Sequence, residues 1–295
     1  MSQRFHNFAR ETGVVSLRAL AAEWPPCDAS TFLYPRANVG FFVSVCVAPS
    51  ADKRELLGNP LVVCCLCVFV EEIPDIGDTT MLKDLASLIV KHTVPSRRHL
   101  TPELVLRLVT PECPLWRAKE DEIPFKDPFW AFYWPGGQAT ARYILDNGEL
   151  VKGRRVLDIG CGCGAGTIAA VKMGASRVVA NDIDPYAIAA TSINAILNDV
   201  AVETNSNDLI GTKCEEFDTI LIGDMFYDEE FANVLFGWLQ GVRGEGKTIL
   251  IGDPGRHGLT EKRRQHIELI AKYNLPPESC IENHGFTETS LWKLK

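Results

Sequence analysis

The stretch "ILIGDMFYDEE", which begins at Ile220, ends an apolar segment with a carboxylate and an aromatic hydroxyl. Its first three residues have the composition of a buried strand, and Asp224 and Tyr227 follow closely. If the sheet is parallel, ligands bind outside the carboxyl ends of its strands. Asp224 and Tyr227 are therefore candidate catalytic residues. A carboxylate left beside aromatic residues at a strand end indicates that a ligand or substrate meets them there. The alternative is an ordinary helix start with Asp224 or Asp228 as its N-cap.

A glycine-rich loop, "VLDIGCGCGAG" at 156–166, is the second group of residues suited to chemistry. Gly160, Gly162 and Gly164 directly follow a predicted strand and precede a predicted helix. Glycines in that position allow a tight turn and let backbone N–H groups approach a ligand closely. Because Ala165 also completes the dinucleotide pattern G-x-G-x-x-A, the loop alone does not choose between nucleotide ligands. A tight turn without a ligand is the alternative.

Two acidic residues narrow the choice of ligand. Asp158 lies two residues before Gly160, where a carboxylate would repel a pyrophosphate and would attract an ammonium group. S-adenosylmethionine carries an ammonium and no phosphate. Asp182 lies 22 residues after Gly160, at the end of the next predicted strand, where a carboxylate can accept hydrogen bonds from both ribose hydroxyls. Ile183 would then cover one face of the adenine. A helix N-cap is the alternative for Asp182, although Asp184, directly before a proline, fits that role better.

The elements that must position these residues alternate between strands and helices. Alternation of this kind is typical of an α/β fold whose parallel sheet is covered on both faces, a doubly wound sheet. The predicted strands are 155–159, 177–181, 218–222 and 248–251, and the predicted helices are 136–146, 165–173, 185–197, 229–242 and 260–273. The segment 280–295 is predicted as two strands around His284–Gly285, which would form a hairpin at the edge of the sheet.

Several motifs together resemble a known enzyme class. "VLDIGCGCG" followed by "VVANDIDP" is similar to the seven-strand class I methyltransferases, which are Rossmann-like. "FWAFYWPGGQ" and "GDMFYDE" resemble the protein-lysine methyltransferases with an Asp-x-x-Tyr signature at the end of the fourth strand, in particular the mitochondrial family that modifies the β-subunit of electron transfer flavoprotein. The resemblance spans 97–295. It implies a seven-strand, mostly parallel sheet with an antiparallel C-terminal hairpin, S-adenosylmethionine as methyl donor, and that β-subunit as protein substrate.

The resemblance implies that Asp224 captures and aims a substrate lysine, and that Tyr227 and Phe226 line the channel through which it enters and exclude water around it. It also suggests further cofactor-binding residues. Trp134 would lie over the methionine end of the cofactor, with Gln138 forming a hydrogen bond nearby. Gly223, at the end of the fourth strand, would border the cofactor. Either Asp208 or Asn207 would accept a hydrogen bond from the adenine amino group, with Asp208 preferred.

Composition limits the other classes of function. The chain has 295 residues and a net charge of −8 without a long basic block, which argues against nucleic-acid binding. The apolar run 61–70 is too short to span a membrane, which needs about 20 residues as a helix, and is predicted to be a buried strand. The ten cysteines include no pair of Cys-x-x-Cys units, so we expect no metal site and mostly buried free thiols.

The chain is predicted to have three parts. Residues 1–77 form an N-terminal extension, which is either a targeting sequence or a poorly ordered segment. Residues 78–134 form a helical and loop region on the substrate side, which begins with a helix at 78–91, and residues 135–295 form the methyltransferase domain. The first 22 residues contain three arginines and one acid, which resembles a mitochondrial transit peptide, and an ordinary N-terminal tail is the alternative. The expected location is the mitochondrial matrix, with the cytoplasm as the alternative.

Other functions on related folds remain open from the sequence. A class I methyltransferase could act on another protein, ribosomal or chaperone, on a small molecule, or on nucleic acid. Base N-methyltransferases often carry a proline pair at the fourth strand end, which Asp224 to Tyr227 lack. A nicotinamide-dependent oxidoreductase is disfavoured by Asp158. A catalytically silent binding module is disfavoured by the set Asp158, Asp182 and Asp224.

Overall fold

The computed structural model describes residues 42–45, 66–69, 79–119, 122–244, 246–283 and 285–295. The chain divides into two compact units, Met1–Thr79 and Thr80–Lys295. In the first unit, strand β1 (Phe42–Val45) pairs antiparallel with β2 (Leu66–Phe69). Strand β2 confirms that part of the apolar run 61–70 is extended. The prediction that this strand is buried falls on side chains that the structure does not describe. The first 22 residues and the rest of the predicted extension also lie outside the described residues.

The second unit begins with helix α1 (Thr79–His92), which confirms the helix predicted at 78–91. A small antiparallel pair follows, β3 (Val94–Ser96) with β4 (Leu106–Leu108). The proline-punctuated segment after it contains short 3-10 turns, Pro114–Arg117 and Phe129–Ala131. This segment delivers Trp134 to the start of the next helix.

A seven-stranded sheet forms the centre of this unit. Its order is β10-β11-β9-β8-β5-β6-β7, and all neighbours are parallel except β11, which is antiparallel to both β9 and β10. The chain runs outward from β5 to β6 on one side and to β8 on the other, so the strand order reverses between β5 and β8, where open α/β sheets bind their ligands. The strands are β5 (Arg155–Ile159), β6 (Arg177–Asn181), β7 (Glu203–Asn205), β8 (Thr219–Gly223), β9 (Thr248–Asp253), β10 (Ile267–Asn274) and β11 (Glu288–Leu294).

Helices cover both faces of the sheet, as the alternating pattern predicted. Their starts follow local chemistry: Asp184 accepts a hydrogen bond from the Tyr186 N–H at 2.8 Å, and Asp228 accepts one from the Phe231 N–H at 2.8 Å. The helices are α2 (Pro135–Asp146), α3 (Ala165–Lys172), α4 (Pro185–Leu197), α5 (Glu229–Gly244), α6 (Glu261–Arg264) and α7 (Pro277–Glu282).

The central strands send alternate side chains to opposite faces. Val156, Leu221 and Leu250 pack in the core beneath α2 and α3. Their neighbours along the strands, including Ile220 and Ile222, pack with α5. Fully burying such a side chain stabilises the fold by about 1.5–3 kcal/mol. Because Asp158 has the same parity as Val156, its carboxylate lies on the α2–α3 face.

One predicted helix is wrong. The segment 260–273 forms only the single turn α6, which is capped by Thr260, and then becomes strand β10. Its sequence "IELIAKYN" places Ile267, Leu269, Ala271 and Tyr273 at every second position, a strand period that competed with the helical spacing. The predicted antiparallel C-terminal hairpin is confirmed as β10 and β11, but its first strand is 267–274, and Pro277–Glu282 is helical instead.

Candidate active site

The glycine loop joins β5 to α3 at the carboxyl edge of the sheet. Gly160, Gly162 and Gly164 all have positive φ angles of 66°, 53° and 80°, a region that side-chain-bearing residues rarely adopt. A Cβ placed on Gly162 would have no neighbour nearer than the Trp130 Cα at 3.9 Å. The protein therefore leaves the space beside Gly162 open, as a loop that receives a ligand requires.

A solvent-open pocket with a cavity volume of about 50 Å³ lies at this loop. It sits where the strand order reverses, with Gly160 at the end of β5 and Gly223 at the end of β8. The structure thus brings together predicted residues from three separate segments. The lining residues are Phe132, Tyr133, Trp134, Gly137, Thr140, Asp158, Gly160, Cys161, Gly162, Cys163, Ala165, Gly166 and Gly223.

Asp158 provides the negative charge of the pocket wall. Its Oδ2 accepts a hydrogen bond from the Thr167 hydroxyl at 2.7 Å, and the residue is only 6% exposed. Burial raises the pKa of Asp158 to about 6, more than the Thr167 hydrogen bonds lower it. No ion pair with Asp158 is found in the described part of the chain. A cationic ligand group would therefore supply the counter-charge that the carboxylate lacks.

Asp182 follows β6 and is fixed by the glycine loop. Its Oδ2 accepts a hydrogen bond from the Gly162 N–H, and its Oδ1 accepts one from the Asp184 N–H, both at 3.0 Å. A carboxylate has about four acceptor positions, so two remain for ribose hydroxyls. Ile183 beside it is 71% exposed, which leaves an apolar surface available to an adenine. Asp184, and not Asp182, caps α4, as expected.

The adenine end of the predicted site is less enclosed. Asp208 is exposed, and its Oδ1 accepts a hydrogen bond from the Ile210 N–H at 3.0 Å. Asn207 is also exposed, and its carbonyl oxygen accepts a hydrogen bond from the Asn181 side chain at 2.8 Å. Neither lines the pocket at the glycine loop. The preference for Asp208 therefore stays a prediction.

Asp224 is more constrained than the sequence indicated. It has a positive φ of 58° and is 7% exposed. Its Oδ2 accepts hydrogen bonds from the N–H groups of Gly136 and Gly137, at the start of α2, and its Oδ1 accepts one from Arg256 Nε at 2.7 Å. Burial raises the pKa of Asp224, and Arg256 opposes that rise. Asp224 does not cap the following helix, since Asp228 does.

Arg256 and Asp253 belong to the same cluster as Asp224, and neither was identified as a site residue from the sequence. Asp253 ends β9, is fully buried, and accepts hydrogen bonds on Oδ1 from the N–H groups of Gly255 and Arg256 at 2.7 Å. Its Oδ2 has no hydrogen-bond partner within the described ranges. Burial and the nearby Asp224 raise the pKa of Asp253 to about 7. The rule that selected Asp224, a polar residue directly at a strand end, would have found Asp253 in "GDPGR".

The aromatic residues after β8 divide into two roles. Phe226 is fully buried and packs edge-on against Phe236 with ring centroids 6.3 Å apart, so the expectation that it lines a substrate channel is wrong. Tyr227 is 55% exposed and stacks on Phe231 at 5.5 Å. Of these two aromatic side chains, Tyr227 is therefore the one that a substrate can reach.

Trp134 lines the pocket, and its Nε1 donates a hydrogen bond to the Phe129 carbonyl at 2.8 Å. Its place over the methionine end of the cofactor stays a prediction. Gln138 has a different position. It is fully buried, its Nε2 donates to the Tyr133 carbonyl, and its Oε1 accepts from the Leu100 N–H. Its amide thus holds the segment before α2 in place, away from the pocket.

Among the described residues, no group of three or more histidine, cysteine or acidic side chains is placed to hold a metal ion. Among the cysteines whose side chains the structure describes, Cys113, Cys161, Cys163 and Cys214 are buried free thiols, and Cys280 is a partly buried free thiol. Burial raises the pKa of the Cys163 thiol to about 12. The sequence-based expectation of buried free thiols is confirmed for these four.

Comparisons with known proteins extend over most of the chain. A protein from Xenopus laevis, electron transfer flavoprotein beta subunit lysine methyltransferase, is 45% identical over 212 residues, covering 71% of this chain and 86% of that protein. The Homo sapiens protein of the same name is 44% identical over 202 residues, covering 68% and 77%.

The chain belongs to the family of electron transfer flavoprotein beta subunit lysine methyltransferases.

A second likeness covers a shorter part of the chain. The family model "Ribosomal protein L11 methyltransferase (PrmA)" matches residues 139–234, and the Aliivibrio salmonicida ribosomal protein L11 methyltransferase is 44% identical over 98 residues, covering 30% of this chain and 32% of that protein. This segment contains the glycine loop, Asp182 and Asp224. The shared part therefore supplies the glycine loop side of the pocket, whereas Trp134 and Gly137, which also line it, lie before the matched segment.

Membership of this methyltransferase family makes S-adenosylmethionine the methyl donor, and the pocket fits it. The open space at Gly162 and the carboxylate of Asp158 without a cationic partner in the described residues suit a ligand with an ammonium group. Asp182 retains free acceptor positions for a ribose. The predicted seven-strand methyltransferase fold is confirmed for this chain.

Proposed function

We propose that this chain transfers methyl groups from S-adenosylmethionine to lysine side chains of the β-subunit of electron transfer flavoprotein. The observation that carries the proposal is 45% identity over 86% of the Xenopus laevis relative, whose name states that substrate. The pocket at the sheet switch point, with Asp158 in its wall, supports the chemistry.

Residues at the carboxyl edge of the sheet bind the donor. The backbone of Gly160, Gly162 and Gly164 borders its methionine part, and Asp158 faces the ammonium group. Asp182 accepts the ribose hydroxyls, Ile183 covers the adenine, and Asp208 accepts from the adenine amino group. Trp134 and Gly223 border the end that carries the methyl group. When bound, S-adenosylmethionine supplies an electrophilic methyl on a sulfonium.

Asp224 and Tyr227 are the residues we assign to the lysine. Free lysine has a pKa of roughly 10.4 and must lose its proton before it can attack. Asp224 already binds three donors, from Gly136, Gly137 and Arg256, which leaves about one of four acceptor positions for an amine N–H. Asp224 can therefore aim the lysine, while Arg256 offsets the carboxylate charge that would otherwise favour the ammonium form.

Tyr227 contributes an aromatic surface rather than a charge. Its exposed ring, supported by Phe231, shields the lysine side chain from water as it enters. A less polar environment favours the neutral amine. The same ring face can rest against a methylated ammonium product.

The location follows from the proposed substrate. An enzyme for electron transfer flavoprotein acts where that protein resides, and we propose the mitochondrial matrix, with the cytoplasm as the alternative. No helix in the described ranges has the length and apolar composition of a membrane span.

Labelled S-adenosylmethionine added to a mitochondrial extract with the full chain tests this function. We expect one labelled band at the flavoprotein β-subunit, identified by mass spectrometry. Asp158→Asn should lose the labelling. The matched control Asp218→Asn should keep it, because Asp218 lies at the opposite end of β8 and pairs with Arg155 at 2.7 Å.

The same experiment includes the competing substrate suggested by the partial match. Purified ribosomal protein L11 and purified electron transfer flavoprotein are offered together in equal amount. Label on L11 alone, or on another protein of the extract, would overturn the proposed substrate. Absence of transfer to any protein would overturn the proposed activity.

A further inference from the structure

Arg256 lies outside the pocket lining but contacts the structures that build one of its walls. Its guanidinium carbon lies 5.4 Å from the ring centroid of Trp134 and 5.6 Å from that of Phe286. Its Nε donates to Asp224 Oδ1 at 2.7 Å, and its side chain is only 16% exposed. One cation therefore contacts a pocket aromatic and the carboxylate at the end of β8.

Asp224 links Arg256 to the start of α2 through hydrogen bonds. Its other oxygen accepts the N–H groups of Gly136 and Gly137, and Gly137 lines the pocket next to Trp134. Any side chain on Gly136 would overlap the Gly252 carbonyl, so α2 begins in direct contact with the end of β9. The amino end of α2 thus depends on an acceptor oxygen of Asp224, and the other oxygen has Arg256 as its ion-pair partner within the described part.

The turn that carries Arg256 is itself fixed. Asp253 accepts hydrogen bonds from the N–H groups of Gly255 and Arg256, and Gly255 has a φ of 104°. A positive φ of this kind favours glycine and defines the direction in which the next residue leaves the turn. Arg256 is therefore presented to Asp224 and Trp134 by a built turn rather than by a flexible surface loop.

Resting on the proposed methyltransferase function, we infer that Arg256 is a positioning residue: it holds the Trp134 indole and, through Asp224, the start of α2 in the geometry that binds S-adenosylmethionine. Arg256 does not itself touch the donor. Loss of Arg256 leaves the buried Asp224 carboxylate without its partner, so its neighbours shift, and removes the planar cation from the Trp134 ring. Together these changes loosen the wall formed by Gly137 and Trp134.

Direct titration of S-adenosylhomocysteine into the full chain tests this inference without any protein substrate. We expect Arg256→Met to weaken binding by roughly ten-fold or more. The matched control is Arg177→Met, because Arg177 also pairs with a carboxylate, Glu203 at 2.8 Å, and lies over an aromatic ring, Phe217 at 5.5 Å, but at the amino end of β6. The control should bind like the wild type.

A double-mutant cycle identifies the route. Trp134→Phe and Arg256→Met should weaken binding together by clearly less than the product of their separate effects, because both act on one wall. Wild-type affinity in a folded Arg256→Met variant, an equal loss in the Arg177→Met control, or independent effects in the cycle would each overturn the inference.

A conservative variant covers the case in which Arg256→Met does not fold. Arg256→Lys keeps a cation for Asp224 but lacks the planar group that lies over Trp134, so intermediate affinity is expected and wild-type affinity would overturn the inference. A failure of the proposed function gives a different result. Either the wild type does not bind the donor, or methyl transfer is absent although Arg256→Met still weakens binding.

Discussion

Replacing Asp224 by asparagine separates its two contacts. The amide oxygen can take the place of Oδ2 and still accept from the N–H groups of Gly136 and Gly137. The amide nitrogen then takes the place of Oδ1 and faces Arg256 Nε, which lies 2.7 Å away. Two donors cannot share that contact, so Asp224→Asn keeps the start of α2 in place and releases Arg256 from its carboxylate.

The size of the effect follows from that one lost interaction. A hydrogen bond to a charged group contributes about 1.5–3 kcal/mol. Because the Arg256 side chain is 16% exposed, water replaces part of it, and we expect roughly 1.5–2 kcal/mol of destabilisation. At about 2–4 °C per kcal/mol, the Tm should fall by roughly 3–8 °C. S-adenosylmethionine affinity should fall less than about ten-fold, because Arg256 still lies over Trp134, whereas turnover should fall by about 10²–10³-fold.

Three measurements on one preparation decide this prediction: thermal unfolding, titration of S-adenosylmethionine, and methyl transfer to electron transfer flavoprotein. Asp228→Asn is the control, because Asp228 lies in the same loop and asparagine also serves as an N-cap. Unchanged Tm and full turnover in Asp224→Asn would refute both the ion pair and the role in aiming the lysine. A collapse of donor binding with normal folding would show that Asp224 acts on the cofactor side instead.

The remaining predictions concern the other parts of the site. Asp182→Ala should weaken S-adenosylmethionine binding by roughly ten-fold or more in a folded protein, and unchanged titration would exclude Asp182 as the ribose acceptor. Tyr227→Phe should keep most of the activity and Tyr227→Ala should lose it, because the ring stacks on Phe231; a severe loss in the phenylalanine variant would assign the role to the hydroxyl. Because burial raises the pKa of Asp158 to about 6 and a bound ammonium favours its charged form, donor affinity should fall as the pH drops through that value, and Asp158→Asn should flatten this dependence. A chain that begins at Asp78 should bind the donor like the full chain, since Thr80–Lys295 is a compact unit; insolubility or lost binding would assign the first 77 residues to the core.

Local patterns predicted most of the methyltransferase fold. The strands at Arg155–Ile159 and Arg177–Asn181 and the helix at Pro185–Leu197 have the predicted bounds, because apolar runs, a proline at a helix start and capping acids act over a few residues. The glycine loop was also predicted correctly from the sequence, because its positive φ angles require glycine. The helix predicted at 260–273 failed where two periods overlapped in one short segment and pairing with β11 selected the strand.

The contacts of Asp224 could not be read from the sequence. They join Gly136, Asp224 and Arg256, which are far apart along the chain and meet only when α2 packs on the ends of β8 and β9. The sequence alone indicated a free carboxylate at Asp224 beside aromatic residues, and it placed Phe226 in a substrate channel. In the structure, the Phe226 ring belongs to the core. Tertiary packing decides which of two neighbouring aromatics is exposed.

The most direct test of the proposed function is the intact mass of the purified electron transfer flavoprotein β-subunit after incubation with the full chain and S-adenosylmethionine. We predict that the mass rises in whole methyl increments, that fragmentation places them on lysine, and that Asp158→Asn enzyme leaves the mass unchanged while Asp218→Asn enzyme does not. An unmodified β-subunit in the presence of enzyme shown by titration to bind the donor would contradict the proposed substrate.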